Sequence, residues 1–135
     1  MKAALALATL AVPMWVNAAD LRVTVTDGPS DPSTLYLALF DSAEALANNQ
    51  ALASQKVALL DGAAQLVFSG LPVGRYVIKS FADENGNAKL DTNILGMPTE
   101  RYGFSNNARG RMGPPTFDAA AVQLDADSSI NFRLH

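Results

Sequence analysis

A chain of 135 residues with 10 Lys plus Arg against 13 Asp plus Glu, a net charge of −3 and no Cys has room for one ordinary domain and offers no disulfide framework. It carries no basic stripe to meet a polyanion, which excludes nucleic acid as a partner class. A single His and no Cys also remove the zinc clusters and the cysteine nucleophiles.

The chain opens on MKAALALATLAVPMWVNAAD, in which one Lys precedes an apolar run from Ala3 to Val16 and small residues lead to Asp20. This is the make-up of a secretory signal peptide, with Val16 and Ala18 at the small-residue positions of a cut after Ala18, and Ala19 as the alternative. The run is broken by Pro13 and is shorter than the ~20 apolar residues of a membrane span. Residues 1–18 are therefore read as a signal peptide and 19–135 as one exported domain, periplasmic or extracellular, with no transmembrane span. No Cys follows the run to support lipid anchoring.

Leu21, Val23 and Val25 alternate with Arg22, Thr24 and Thr26, the period-two pattern of a strand with one wet face. From Thr34 to Phe40 both alternating sets are largely apolar, which predicts a central strand covered on both sides. Asp41 with Glu44 resembles a capping box, and Ala43 to Ala47 is expected to make a short helix before Asn48 and Asn49 end it. Gln55–Leu60 and Ala63–Phe68 flank Asp61-Gly62, the signal for a type I′ hairpin. After the turn cluster SGLPVG, Arg75–Ala82 reads as a strand. Ala120, Val122 and Leu124 form a short strand, and Ile130, Phe132 and Leu134 a last one. About seven strands with almost no helix predict an all-β, antiparallel β-sandwich.

Between these strands Asp83–Thr116 has none of its own, yet it holds Ile94, Leu95, Met97, Tyr102, Phe104 and Met112, enough apolar surface to pack. Long connections are usually functional or disordered, and this composition favours an ordered loop lying on one edge or end of the sandwich. Its first part, DENGNAKLD, sets oxygen-bearing residues at alternate positions: Asp83, Asn85, Asn87, Lys89 through its carbonyl, and Asp91. That spacing follows the first part of an EF-hand loop and fits calcium, a hard cation that prefers oxygens. Ala88 stands where the sharp-turn Gly belongs, and Ile94 where a closing Glu belongs, leaving Glu100 to fold back in its place. A polar turn uses the same letters, because Asp and Asn accept hydrogen bonds from the backbone two residues on. Both readings stay open.

Glu100, Arg101, Tyr102, Phe104 and Arg109 could present a surface to a protein or glycan partner at the cell envelope. Against this, Lys89, Arg101, Arg109 and Arg111 balance Asp83, Glu84, Asp91 and Glu100, which suggests pairing within the loop while Tyr102 and Phe104 pin it to the sandwich. Catalysis has less to stand on. His135 ends the chain, where an unanchored terminus is hard to orient, and Asp83 with Glu100 or Asp118 is the sort of acid pair that any acidic chain offers.

Five segments, Leu71–Tyr76, Asp83–Asp91, Gly96–Glu100, Tyr102–Ser105 and Gly113–Pro115, together resemble the signature of an exported bacterial family, domain of unknown function 2141. Two positions depart from its pattern: Ala82, where that family often has His, and Ala88, where Gly is usual. The resemblance implies export and, by analogy, a transthyretin-like or prealbumin-like sandwich, a group in which the LPxGxY turn recurs; it implies no activity. The expectation is thus a non-enzymatic exported module whose loop, calcium-stabilised or not, faces a partner. A small-molecule carrier with an intersheet pocket and a hydrolase using loop carboxylates are the alternatives.

Overall fold

The computed structural model describes residues 17–135, so the signal-peptide reading of 1–18 lies almost wholly outside the described residues. In chain order the elements are β1 (Ala18–Thr26), β2 (Ser33–Phe40), α1 (Ala43–Ala47), β3 (Ala53–Leu59), β4 (Ala64–Pro72), β5 (Gly74–Asp83), β6 (Tyr102–Phe104), a 3₁₀ turn (Ser105–Asn107), α2 (Phe117–Ala120), β7 (Val122–Leu124) and β8 (Ser128–Arg133). Among the described residues no helix is long and apolar enough to cross a membrane.

The strands form two sheets, one of three in the order β4-β1-β8 and one of five in the order β3-β2-β5-β6, with β7 sharing the β6 edge of β5. Strand pairing is antiparallel except between β1 and β8, which run parallel. The alternation read in the sequence explains the packing. Leu21, Val23 and Val25 of β1 and Leu66 and Phe68 of β4 meet Leu35, Leu37 and Leu39 of β2, with Ile78 and Phe132, in one buried core between the sheets. β2 lies inside its sheet with Phe40 buried on the opposite face, as a strand apolar on both sides requires.

Three local expectations change. The Asp61-Gly62 turn forms, with both residues at positive φ and Leu60 and Ala63 exchanging hydrogen bonds of 3.1 Å each way. Beyond it the two strands part, β3 joining one sheet and β4 the other, so the turn is a corner between layers and not a flat hairpin. The cap of α1 is Ser42, whose hydroxyl accepts from the Ala45 N–H at 3.0 Å, and not Asp41. There is also an eighth strand, β6, inside the segment expected to lack one. It uses a stretch of β5 edge left free by β7, and Gly103 lets it pass close to β8, where a Cβ would stand 2.6 Å from the Arg133 carbonyl oxygen.

The LPVGRY turn has a direct explanation. The Tyr76 hydroxyl donates to the Pro72 carbonyl and ties the start of β5 back onto the end of β4. Burial, and then the Asp41 carboxylate, raise the Tyr76 pKa, so the phenol stays a donor.

Candidate functional site

On β2 and β5 the positions that alternate with the core point outward from the five-stranded sheet. One end of this outer face is covered, with Phe40, Val77 and Phe104 buried against α1 and α2, whose Ala120 joins the same cluster. At the other end Tyr36 and Phe81, cross-strand neighbours, stack with ring centroids 5.3 Å apart and planes at 8°. The strand pairing sets them in a row that runs Lys56, Tyr36, Phe81, Tyr102 across β3, β2, β5 and β6.

Residues 84–101 border this open end, and side chains bonded to the main chain hold them. Asp83, 5% exposed, accepts from the N–H groups of Gly86, Asn87 and Ala88 at 3.0, 3.3 and 2.8 Å. Asn85 Oδ1 accepts from the Asn87 N–H at 3.2 Å, and Asn87 Oδ1 from the Lys89 N–H at 3.0 Å. With their oxygens so engaged, the amide groups of Asn87, at 2.6 Å, and of Asn85 donate to Asp91. Those donors, Asn87 first, hold the Asp91 carboxyl below the usual carboxylate range. Glu100, 8% exposed, does fold back, accepting from the Glu84 N–H at 2.7 Å and the Asp91 N–H at 3.0 Å. A second turn follows, in which Asn93 Oδ1 accepts from the Leu95 and Met97 N–H groups at 2.9 and 3.1 Å.

The five residues read as ion ligands, Asp83, Asn85, Asn87, Lys89 and Asp91, therefore do lie in one turn. Among the described residues no three His, Cys, Asp or Glu side chains converge on one point, and the Asp83, Asn85, Asn87 and Asp91 oxygens of this turn already accept hydrogen bonds. Asp83 and Glu100 face backbone amides, and Asp91 faces two side-chain amides. Ala88 holds φ 59, the left-handed conformation in which Gly is expected. Ala82, the other departure from the family pattern, is fully buried in the core and does not face this turn.

The residues expected on a partner surface separate. Glu100 and Phe104 are buried. Arg101 is exposed, and its Nη1 donates to the Asp27 carbonyl at 2.6 Å, tying the segment to the turn after β1. Tyr102 packs edge-on against Phe104 and against His135, at 6.5 and 4.7 Å between centroids. The terminus is thus anchored, contrary to expectation, and the His135 main chain exchanges hydrogen bonds with Tyr102 at 2.9 and 3.2 Å. Burial and then the nearby Arg109 charge lower the His135 pKa. The expected pairing of arginines with loop carboxylates is absent. The one ion pair among the described residues joins Arg75 to Asp118 at 3.1 Å, at the end of β5 remote from Asp83. Asp118 is therefore not brought to Asp83 and Glu100.

Two cavities open on the outer face, while between the sheets Val23, Val25, Leu35, Leu39 and Ile78 are fully buried in one cluster. The first, about 510 Å³, is walled by Tyr36, Phe81, Lys56, Lys79 and Lys89. The second, about 560 Å³, lies beneath the loop against Leu95, Met97, Met112, Tyr102 and Phe104. They share Lys79 and Leu90, and neither is lined by an Asp or Glu. The sequence reading passed over the first one. Its signal was there in Lys56, Lys79 and Lys89, every lysine after Lys2, two of them at strand positions of the same parity as Tyr36 and Phe81.

A family model described as "Uncharacterized protein conserved in bacteria (DUF2141)" matches residues 23–131, and the chain belongs to that family. No curated protein and no solved structure matches it.

Proposed function

We propose that this DUF2141 member is an exported, non-catalytic binding module, transthyretin-like in its sandwich, whose ligand face is the outer side of the five-stranded sheet roofed by residues 84–116. One observation carries the reading: Ile94, Leu95, Met97 and Met112, large apolar side chains left in water, all sit on this one segment. The remaining exposed ones, Leu52, Leu60 and Val73, are spread over other parts of the chain. Apolar exposure concentrated in this way marks a contact surface, and Leu95, Met97 and Met112 come together on one cavity. The absence of carboxylates from both cavities, and the packing of the lone His against Tyr102, speak for binding over hydrolysis.

Export rests on the apolar run from Ala3 to Val16, and sequencing the mature N-terminus should find Ala19 first. To test the face, a photo-crosslinking residue is placed at Ile94 or, on the exposed side of β4, at Gln65. Adducts from position 94 and none from position 65 are expected. Equal yields, or none from position 94, would overturn the assignment.

A second reading, in which the 83–91 turn carries calcium, draws support from the left-handed Ala88, since a loop of this spacing needs its sharp turn there. On that reading the Asn85 and Asn87 amides turn away from Asp91 as the ion enters, and calorimetric titration gives saturable heat with a raised Tm. Without an ion neither appears, and the turn stands on its own hydrogen bonds.

A further inference from the structure

We infer that the two outer-face cavities form one site for an anionic amphiphile, a molecule with a single negative head and an extended apolar chain. The inference rests on the reading of this face as the ligand face and adds the ligand's chemistry.

Charge is the first ground. In a chain of net charge −3, the described lysines, Lys56, Lys79 and Lys89, all line one cavity. None has a carboxylate within ion-pair distance, the Arg75–Asp118 pair being the one recorded among the described residues. Three ammonium groups around a space without acids repel one another, and an anion relieves that repulsion. Arg111 and Lys79 are the charged residues of the adjoining cavity, and no acid lines either space; Asp91, the carboxylate that feels the Lys89 charge, already accepts from the Asn85 and Asn87 amides.

Shape is the second ground. The row Lys56, Tyr36, Phe81, Tyr102 crosses four adjacent strands and leads from the cationic cavity into the one beneath the loop. Strands ~4.8 Å apart make that row about 14 Å long, room for an extended chain of roughly ten carbons. Its far end is walled by Leu95, Met97 and Met112. Methionines adapt to irregular apolar chains, as promiscuous binding surfaces exploit. A purely polar anion would leave these side chains in water, and a neutral lipid would leave the lysines without partners.

Laurate, dodecyl phosphate and dodecyl maltoside, each below its micelle concentration, are titrated into the purified protein by calorimetry. Expected are one site per chain, laurate or dodecyl phosphate at least ~10-fold tighter than the maltoside at low salt, and a loss of about 10-fold from laurate to decanoate for two methylenes. Preference between the two anions separates a carboxylate from a phosphate head. The triple variant Lys56→Gln, Lys79→Gln, Lys89→Gln should abolish the preference over maltoside, while Leu95→Gln with Met97→Gln should weaken all three alike. All these substitutions are at exposed or half-exposed positions, so an unchanged Tm is the folding control. No saturable binding, equal affinity for charged and neutral heads, or a preference surviving in the triple variant would overturn the inference. Crosslinking from position 94 without laurate binding would overturn the ligand and leave the face standing; failure of both would remove both.

Discussion

The interior between the sheets and the segment from Asp83 to Glu100 are both ordered, but by different physics. The interior is built from apolar side chains recurring every second residue, so that each strand has one face that must leave water. The segment has almost no interior of its own. Two buried carboxylates, Asp83 and Glu100, stand where its backbone amides need acceptors, and between them they bind the N–H groups of residues 84, 86, 87, 88 and 91. A strand core spends its apolar residues inward; a loop held by polar side chains can leave Ile94, Leu95 and Met97 outward. That freedom leaves this edge of the molecule with apolar side chains in water.

The sharpest way to break the contrast is to remove one side chain from the interior. Phe132→Ala should cost about 3–5 kcal/mol and lower the stability of sandwich and segment together, read from chemical denaturation. If the segment unfolded separately at lower denaturant, its dependence on the β5 and β6 frame would be refuted. Next in size is Gly103→Ala, which drives a Cβ against the Arg133 carbonyl where β6 passes β8. A loss of about 1–3 kcal/mol is expected, with the Tyr102–His135 contact disturbed in NMR spectra.

Ala88→Gly sharpens the contrast in the opposite direction. The left-handed backbone at this position costs a side chain about 1–2 kcal/mol, and glycine gives some of that back in chain entropy, so a gain of about 0.5–1 kcal/mol is expected by denaturation. A loss would mean that the position does not hold the left-handed turn. The smallest effect concerns pH. Because the folded His135 pKa lies below its unfolded value, its contribution is complete above about pH 6.5 and declines as pH falls through that value toward the lower folded one. Asp91 behaves in the same sense lower down, its contribution being present above about pH 3.9 and lost as pH falls through the depressed folded value. NMR titration of the His135 ring should give a midpoint below 6.5; a midpoint above it would contradict the burial.

Much of the sandwich could be read from the residues because its causes are local. Leu21, Val23 and Val25 announce a one-faced strand, and Asp61-Gly62 announces a turn without reference to anything distant. The parallel pairing of β1 with β8 and the parting of β3 from β4 could not be read so, because both depend on which edges remain free once other strands have paired. β6 escaped for a related reason. Three residues, one of them Gly103, have no periodicity, and their strand character comes from the edge of β5 and the closeness of β8. At the site, Asp83 and Glu100 were visible as candidates, but their targets, main-chain amides, are chosen by the turn itself. The lysine-lined cavity was hidden because Lys56 and Lys79 occupy the alternate positions that a sequence marks only as the wet face of a strand.

Native-state hydrogen exchange, on the wild type and on Asp83→Ala, tests most directly whether side-chain carboxylates hold the segment. In the wild type the N–H groups of Gly86, Asn87 and Ala88 should exchange measurably more slowly than free amides, although their residues are exposed. In the variant they should exchange freely while amides in the middle of β1 and β2 stay protected. Free exchange already in the wild type, or protection that survives the loss of Asp83, would show that something other than this carboxylate orders the turn.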